Sequence, residues 1–159
     1  MSKAIRKKTT RRRPKRTDDI VIRYVVEIVS WDWGYSFGIN YDKRDVDPYM
    51  EFRHLEILGR LIRPSEINGE AVELSLLPTV RLNRDRREKD QPAAVGSLRR
   101  NGARLLGLLS LPEDVLPSIL TALAAKHLRF IDLAGEPLRR NQALVRSFRL
   151  QQHDELDED

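Results

Sequence analysis

Hydrophobic and polar positions begin to alternate regularly at residue 20 of the chain. One parity is wholly apolar: Ile20, Ile22, Tyr24, Val26 and Ile28. Because successive side chains of a strand point to opposite faces, this pattern with its β-branched residues predicts a β-strand. The apolar parity then moves to odd-numbered positions: Trp31, Trp33, Tyr35 and Phe37. That change predicts a turn or bulge at Asp32–Gly34 and a second strand over residues 35–41.

Further strand and turn signals follow along the chain. Residues 49–63 predict a long strand whose phase slips near Arg53–Leu55 and which ends at Pro64. Asn-Gly pairs at 68–69 and 101–102 are strong hairpin signals, and the second joins strands over residues 95–100 and 103–111. Three more strands are predicted: one over residues 72–82 with an edge or bulge at Pro78, one over residues 128–133 and one over residues 143–150.

A single helix is predicted, over about residues 112–127. Pro112, Glu113 and Asp114 suit a first helical turn, and Pro117 marks either a kink or the true start. Apolar residues then recur at helical spacing: Leu116, Ile119, Leu120 and Leu123. Strand–helix alternation of the βαβ kind is absent. We therefore expect a mainly β (α+β) fold, an antiparallel β-sandwich or rolled sheet of seven or eight strands with one helix in its C-terminal half.

The charge of this 159-residue chain is concentrated at its two ends. Residues 1–17 hold nine basic residues and no acid, whereas residues 154–159 hold five acids, so the part between them carries a net charge of +1. Like charges at this density oppose folding. We expect a disordered basic N-terminal arm (1–17), a single β-rich domain (18–151) and a disordered acidic tail (152–159).

The basic arm predicts a nucleic-acid partner. Its nine side chains can displace counterions from DNA or RNA without reading sequence: they are Lys3, Arg6, Lys7, Lys8, Arg11, Arg12, Arg13, Lys15 and Arg16. Seven further arginines could extend the patch: Arg84, Arg86, Arg87, Arg99, Arg100, Arg139 and Arg140. The leading hypothesis is a non-enzymatic accessory protein that contacts nucleic acid through this arm, while the β domain docks or forms homo-oligomers.

Seven of the ten aromatic residues fall within residues 31–52. A β domain of this size needs large core side chains, so core packing is the favoured interpretation of these residues. The alternative is a binding surface formed by Trp31, Trp33, Tyr35 and Phe37, which would stack unpaired bases or anchor a protein. In that second hypothesis the chain is a protein-interaction module that uses the aromatic face or an edge strand.

Catalytic and metal signals are weak. Gly34-Tyr35-Ser36-Phe37-Gly38 matches the nucleophile-elbow pattern of serine hydrolases, but no predicted helix follows it. His54 and Glu56 share a strand face close to several loop acids, yet a metal site needs three or four convergent ligands. We therefore assign no catalytic residue, no metal and no cofactor, and a serine hydrolase stays a remote alternative.

Composition also bears on the compartment. The chain has no cysteine, which excludes disulfides and thiolate chemistry, and no apolar run approaches the roughly 18 residues of a membrane span. Arginine outnumbers lysine 22 to 7, as in proteins from GC-rich bacteria. We expect no membrane partner and a bacterial cytoplasmic protein, or a nuclear one if the source is eukaryotic.

Overall fold

The computed structural model describes residues 20–42, 44 and 46–154. This part of the chain forms seven strands and one α-helix: β1 (Ile22–Ile39), β2 (Tyr49–Arg63), β3 (Ala71–Thr79), β4 (Gly96–Asn101), β5 (Arg104–Pro112), α1 (Leu116–Ala124), β6 (Phe130–Gly135) and β7 (Gln142–Gln151). Single 3₁₀ turns cover Ser65–Ile67, Val80–Leu82 and Glu113–Val115. The predicted mainly β fold with a helix in the C-terminal half is confirmed.

The strands form one sheet that closes into a barrel in the order β1-β2-β3-β5-β4-β7-β6. Closure comes from β6, which pairs with both β7 and β1. Six neighbour pairs are antiparallel, but β3 and β5 run parallel, which the prediction of an antiparallel sheet did not include. The parallel pair arises because the β4–β5 hairpin joins the sheet through its second strand, leaving β4 to pair with β7.

Alternate side chains of every strand fill the barrel, and α1 packs against the same core. Fully buried residues from all seven strands include Tyr24, Val26, Leu55, Ile57, Leu74, Leu76, Leu98, Leu105, Leu109, Ile131, Leu133 and Val145. Leu116 and Leu123 of α1 join this cluster. The helix is shorter than predicted because a 3₁₀ turn precedes Leu116 and because Lys126, with a φ of 57°, ends it. Burial of these apolar side chains drives the fold.

β1 is one continuous strand to Ile39, so the turn or bulge predicted at Asp32–Gly34 is wrongly placed and residues 35–41 do not form a second strand. The parity change instead comes from a bulge at Val29, since Ile28 pairs with Gly59 and Ser30 pairs with Leu58. One extra residue in one strand moves every later side chain to the other face. The bulge therefore explains why the core side of β1 changes from even to odd positions.

The predicted phase slip in β2 is also wrong. Its pairing with β1 runs without interruption from Tyr49 to Leu58, and Leu55, Ile57 and Leu61 all face the core. Apolar residues of the other parity, Met50 and Phe52, are exposed to solvent instead. Both faces of this part of β2 are apolar because it lies outside the barrel.

The β1–β2 hairpin is longer than the barrel. β1 pairs with β6 only from Ile22 to Glu27, and β2 pairs with β3 only from Leu55 to Arg60. Beyond those points the two strands are each other's sole strand neighbours within the described residues. We call residues 33–39 and 49–54 the outer hairpin; at about 3.3 Å per residue it extends roughly 20 Å.

Candidate functional site

The outer hairpin exposes the aromatic residues that the sequence singled out. Trp33, Tyr35 and Phe37 are 41%, 53% and 62% exposed, so the expectation of core packing is wrong for these three. Trp31, nearer the barrel, is half-buried and packs against the core. Other large apolar side chains exposed on this hairpin and its connecting loop are Ile39, Tyr41, Val46, Tyr49, Met50 and Phe52.

Both faces of the outer hairpin carry rings. On one face the Phe37 and Tyr49 rings stack with centroids 5.4 Å apart, and the Trp33 and Tyr35 centroids are 6.4 Å apart. On the other face Phe52 lies 5.3 Å from the ring of His54. Aromatic contacts at these separations order the side chains against one another. Each face of the outer hairpin therefore presents exposed rings whose positions are restrained by contacts with neighbouring rings.

Ser36, the nucleophile candidate, lies within β1, three residues before its end, and is opposite Phe52. A nucleophile elbow places its serine on a turn between a strand and a helix, and β1 continues past Ser36 to Ile39. His54 lies on the same face as Ser36 and contacts Gly34. The glycines and aromatic residues of this motif thus lie on the surface of the outer hairpin.

His54 and Glu56 do share a strand face, as the sequence predicted. Glu56 pairs with Asp32 across the ladder, while the His54 Nδ1 atom is buried without a hydrogen-bond partner among the described residues. No group of three or more histidine, aspartate or glutamate side chains in the described ranges is placed to hold a metal ion. The His54 ring therefore packs beside Phe52.

A polar network joins the outer hairpin to the start of α1. Arg53 donates hydrogen bonds to Glu113 of the 3₁₀ turn and to Glu51 of β2. Glu51 also accepts a hydrogen bond from the Tyr35 hydroxyl. The hydrogen bonds from Arg53 and then from Tyr35 lower the pKa of Glu51, and the bond to Glu51 raises the pKa of Tyr35. The guanidinium of Arg53 also lies 5.7 Å from the centre of the Tyr35 ring.

A groove lies where the hairpin approaches the helix. We call it the α1 groove; it has a volume of about 520 Å³ and is lined by Trp33, Tyr35, Arg53, Glu113, Asp114, Leu116, Pro117 and Leu120. The residues from the helix side were missed at the sequence level. No local signal could identify them, because sixty positions separate Arg53 from Glu113 and only the fold brings them together.

The hairpin and its loop carry a small excess of acid. Residues 33–54 contain four acidic and three basic residues, a net charge of −1. The predicted basic arm, from Lys3 to Arg16, lies outside the described residues. The other predicted arginines are divided among separate sites: Arg100 pairs with Glu70, Arg87 donates to the carbonyl of Leu82, and only Arg99 and Arg139 line one cavity. Glu136 lines that cavity too.

The last described residue, Asp154, packs onto the barrel. The Asp154 carboxylate, which the sequence placed in the acidic tail, is 5% exposed and lies 3.3 Å from Arg63 of β2. A buried carboxylate needs such a partner to offset its lost hydration. Asp154 thus extends the ordered chain three residues beyond the end of β7.

In the part of the chain that the structure describes, no helix has the length and hydropathy required to cross a membrane. Comparison with known protein families, curated proteins and solved structures gave no match to this chain.

Proposed function

We propose that this chain is a non-enzymatic binding protein that docks a partner protein through its outer hairpin. The observation that carries the proposal is the exposure of large apolar side chains on both faces of a hairpin that extends beyond the barrel. A two-stranded hairpin is at best marginally stable in water, and apolar side chains exposed to solvent do not stabilise it. A second protein that covered them would gain the hydrophobic stabilisation that the barrel does not supply.

The size of the exposed surface supports docking. Ten large apolar side chains between Val29 and Phe52 are exposed, and together they present on the order of 1,000 Å² if a whole aromatic side chain is roughly 150–250 Å². The largest apolar patch on a typical monomer is about 300–600 Å². A standard interface takes about 800 Å² from each partner. These side chains are divided between the two faces of the hairpin, its loop and Val29, so a partner that covers the whole area must contact both faces.

The backbone of the hairpin supports the same proposal. Beyond Glu27 the outer edge of β1 has no strand neighbour in the described part of the chain, and residues 30–39 contain neither proline nor lysine. Natural edge strands usually carry such residues to prevent pairing with other chains. An open edge of this kind can accept a strand from a partner.

Charge favours a protein over a nucleic acid at this site. The net charge of −1 over residues 33–54 gives phosphate groups no attraction to this surface, although the exposed rings could stack on bases. A protein surface with basic residues around an apolar centre is complementary to the hairpin.

Nucleic-acid contact through residues 1–17 is a second candidate, carried by the net charge of +9 in that segment. Fluorescence anisotropy with labelled DNA and RNA, across a salt titration, would compare the full chain with one that starts at Asp18. We expect a steep salt dependence that is mostly lost on truncation, because each bound phosphate releases counterions. Affinity that is unchanged by truncation would contradict this second candidate.

The docking proposal is tested by site-specific photo-crosslinking. A benzoylphenylalanine at position 37 would be compared with one at Leu108, an exposed apolar position on the barrel. We expect position 37 to give a discrete protein adduct in cells that naturally express the chain, and position 108 not to give it. The identified protein must then bind the purified chain, with loss of binding on Tyr49→Ser.

Other labelling results would contradict the proposal or identify a different kind of partner. Equal labelling at both positions, or no adduct at position 37, would show that the outer hairpin is not a specific docking site. An adduct of twice the chain's mass would indicate that the partner is a second copy, and a nucleic-acid adduct would favour base stacking. A fluorophosphonate probe that labels the chain but not Ser36→Ala would support the serine hydrolase instead.

A further inference from the structure

The α1 groove has a mostly apolar floor and walls. Trp33 and Tyr35 of β1 form one side, and Leu116, Pro117 and Leu120 form the other. Leu116 belongs to the barrel core, so its position is fixed by packing. The groove is thus a formed apolar depression next to the outer hairpin, with room for one or two side chains of a partner at its volume of about 520 Å³.

The polar rim of the groove carries an excess of negative charge. Glu113 and Asp114 line the groove together with Arg53, and Arg53 also pairs with the nearby Glu51. Arg53 already donates to both Glu51 and Glu113. The exposed Asp114 carboxylate makes no ion pair with any described residue, and only the Asp114 backbone N–H is engaged, donating to Asn83 at 3.1 Å. One carboxylate at the rim is therefore available to a partner.

Aromatic and acidic groups together determine what this groove can recognise. Trp33 has no cation against its ring among the described residues, whereas Tyr35 already lies beside Arg53. A lysine or arginine held between an indole ring and a carboxylate gains both a cation–π contact and an ion pair. A partner's acidic or phosphorylated side chain would instead face the carboxylates of Glu113 and Asp114.

We propose that the α1 groove binds a partner segment in which apolar side chains flank a lysine or arginine. The apolar side chains pack on Leu116, Pro117 and Leu120, and the cation lies between Trp33 and Asp114. This inference rests on the proposed docking function and adds the chemistry of the partner to it. The Tyr35–Glu51–Arg53–Glu113 network holds the walls in place before binding, which reduces the entropy lost on association.

Tryptophan fluorescence can test the proposal directly. The chain has only two tryptophans, Trp31 and Trp33, and both lie where the hairpin meets the barrel. The probes are acetylated, amidated pentapeptides Ser-Leu-Xaa-Leu-Ser in which Xaa is lysine, glutamine or glutamate. We expect the lysine peptide to change the emission with an affinity about fivefold or more above that of the glutamine peptide, because an exposed ion pair and a cation–π contact each add a modest gain. The glutamate peptide should bind most weakly.

Two substitutions at Asp114 test whether its carboxylate causes the preference for the lysine peptide. Asp114→Asn should reduce the preference for lysine over glutamine to less than about twofold, since it removes the free carboxylate. Asp114→Lys should reverse the order, so that the glutamate peptide binds best. Asp85→Asn, which removes an exposed acid from the loop over residues 83–92, is the matched control and should change nothing. Circular dichroism would establish that each variant is folded.

Equal affinity for the three peptides, or a lysine preference that survives both changes at Asp114, would overturn the inference. Quenching by oligothymidine that exceeds quenching by the lysine peptide would overturn it as well, in favour of base stacking at Trp33. Failure here is distinguishable from failure of the docking proposal, because a specific adduct at position 37 would persist when only the groove chemistry is wrong.

Discussion

The His54 imidazole lies over the backbone of Gly34, its partner across the β1–β2 ladder, so closely that a Cβ at position 34 would overlap the ring. Phe52 continues the same face, next to His54. Gly34 is the first glycine of the Gly34–Gly38 motif, so its absence of a side chain is explained by packing. Within the motif, Gly34, Ser36 and Gly38 share this face of the outer hairpin, and Tyr35 and Phe37 lie on the other.

The two glycines of the motif give a matched pair of substitutions. Gly34→Ala should lower the free energy of unfolding by about 1 kcal/mol, because the His54 ring must move from its site. Gly38→Ala should change it by less than about 0.5 kcal/mol, since no atom lies within 4 Å of the added Cβ. Urea unfolding followed by tryptophan fluorescence measures both. Equal effects of the two changes would contradict the contact.

The connection between the hairpin and the helix is testable through Glu113. Replacing its carboxylate in Glu113→Gln removes the ion pair with Arg53, and we expect about 1 kcal/mol of lost stability. Amide hydrogen exchange over residues 33–37 and 49–53 should become faster. Glu73→Gln, which breaks the exposed pair with Arg104 on β3 and β5, is the control and should leave the hairpin amides unchanged. Unaltered exchange in Glu113→Gln would show that the network does not order the hairpin.

The Glu51 carboxyl should titrate below its ordinary pKa of 4.5, chiefly because Arg53 and then Tyr35 donate hydrogen bonds to the charged form. A depressed pKa in the folded state stabilises the fold above the unfolded-state pKa. That contribution disappears as the pH falls through the folded-state value. In a carbon-detected NMR titration, Arg53→Met should raise the Glu51 pKa more than Tyr35→Phe does. A larger effect of Tyr35→Phe would contradict this order of causes.

The end of the described chain contributes to stability through Asp154. Asp154→Asn should lower the free energy of unfolding by about 1–2 kcal/mol, because it weakens a buried charge-assisted interaction with Arg63. Thermal and urea unfolding would compare it with Asp85→Asn, an exposed loop acid. Equal stability of the two variants would show that Asp154 is a passive part of the acidic tail.

Much of the strand pattern could be read from the sequence, because local side-chain alternation determines which face is buried. The Asn101-Gly102 turn between β4 and β5 is confirmed, and Gly102 has the positive φ of 61° that such a turn requires. The shift of apolar residues from even to odd positions after Ile28 could also be read from the sequence. It was misplaced at Gly34 because a glycine normally marks a bend, whereas this glycine accommodates His54.

Four features could not be predicted because they depend on contacts between distant segments. The parallel pairing of β3 with β5 and the closure of β6 onto β1 join residues far apart along the chain. The exposure of Tyr35 and Phe37 depends on where β3 and β6 end, not on the residues themselves. The same applies to the α1 groove, since Glu113 and Asp114 gave only a helix-start signal.

The most direct measurement of the docking proposal is a hydrogen-exchange footprint of the chain in complex with the protein captured at position 37. We expect slower amide exchange over residues 29–39 and 49–54, where β1 and β2 have no other strand neighbours among the described residues, and little change in β4 and β7. Protection confined to the barrel strands, or no protection in the hairpin, would contradict the proposal that the outer hairpin is the docking surface.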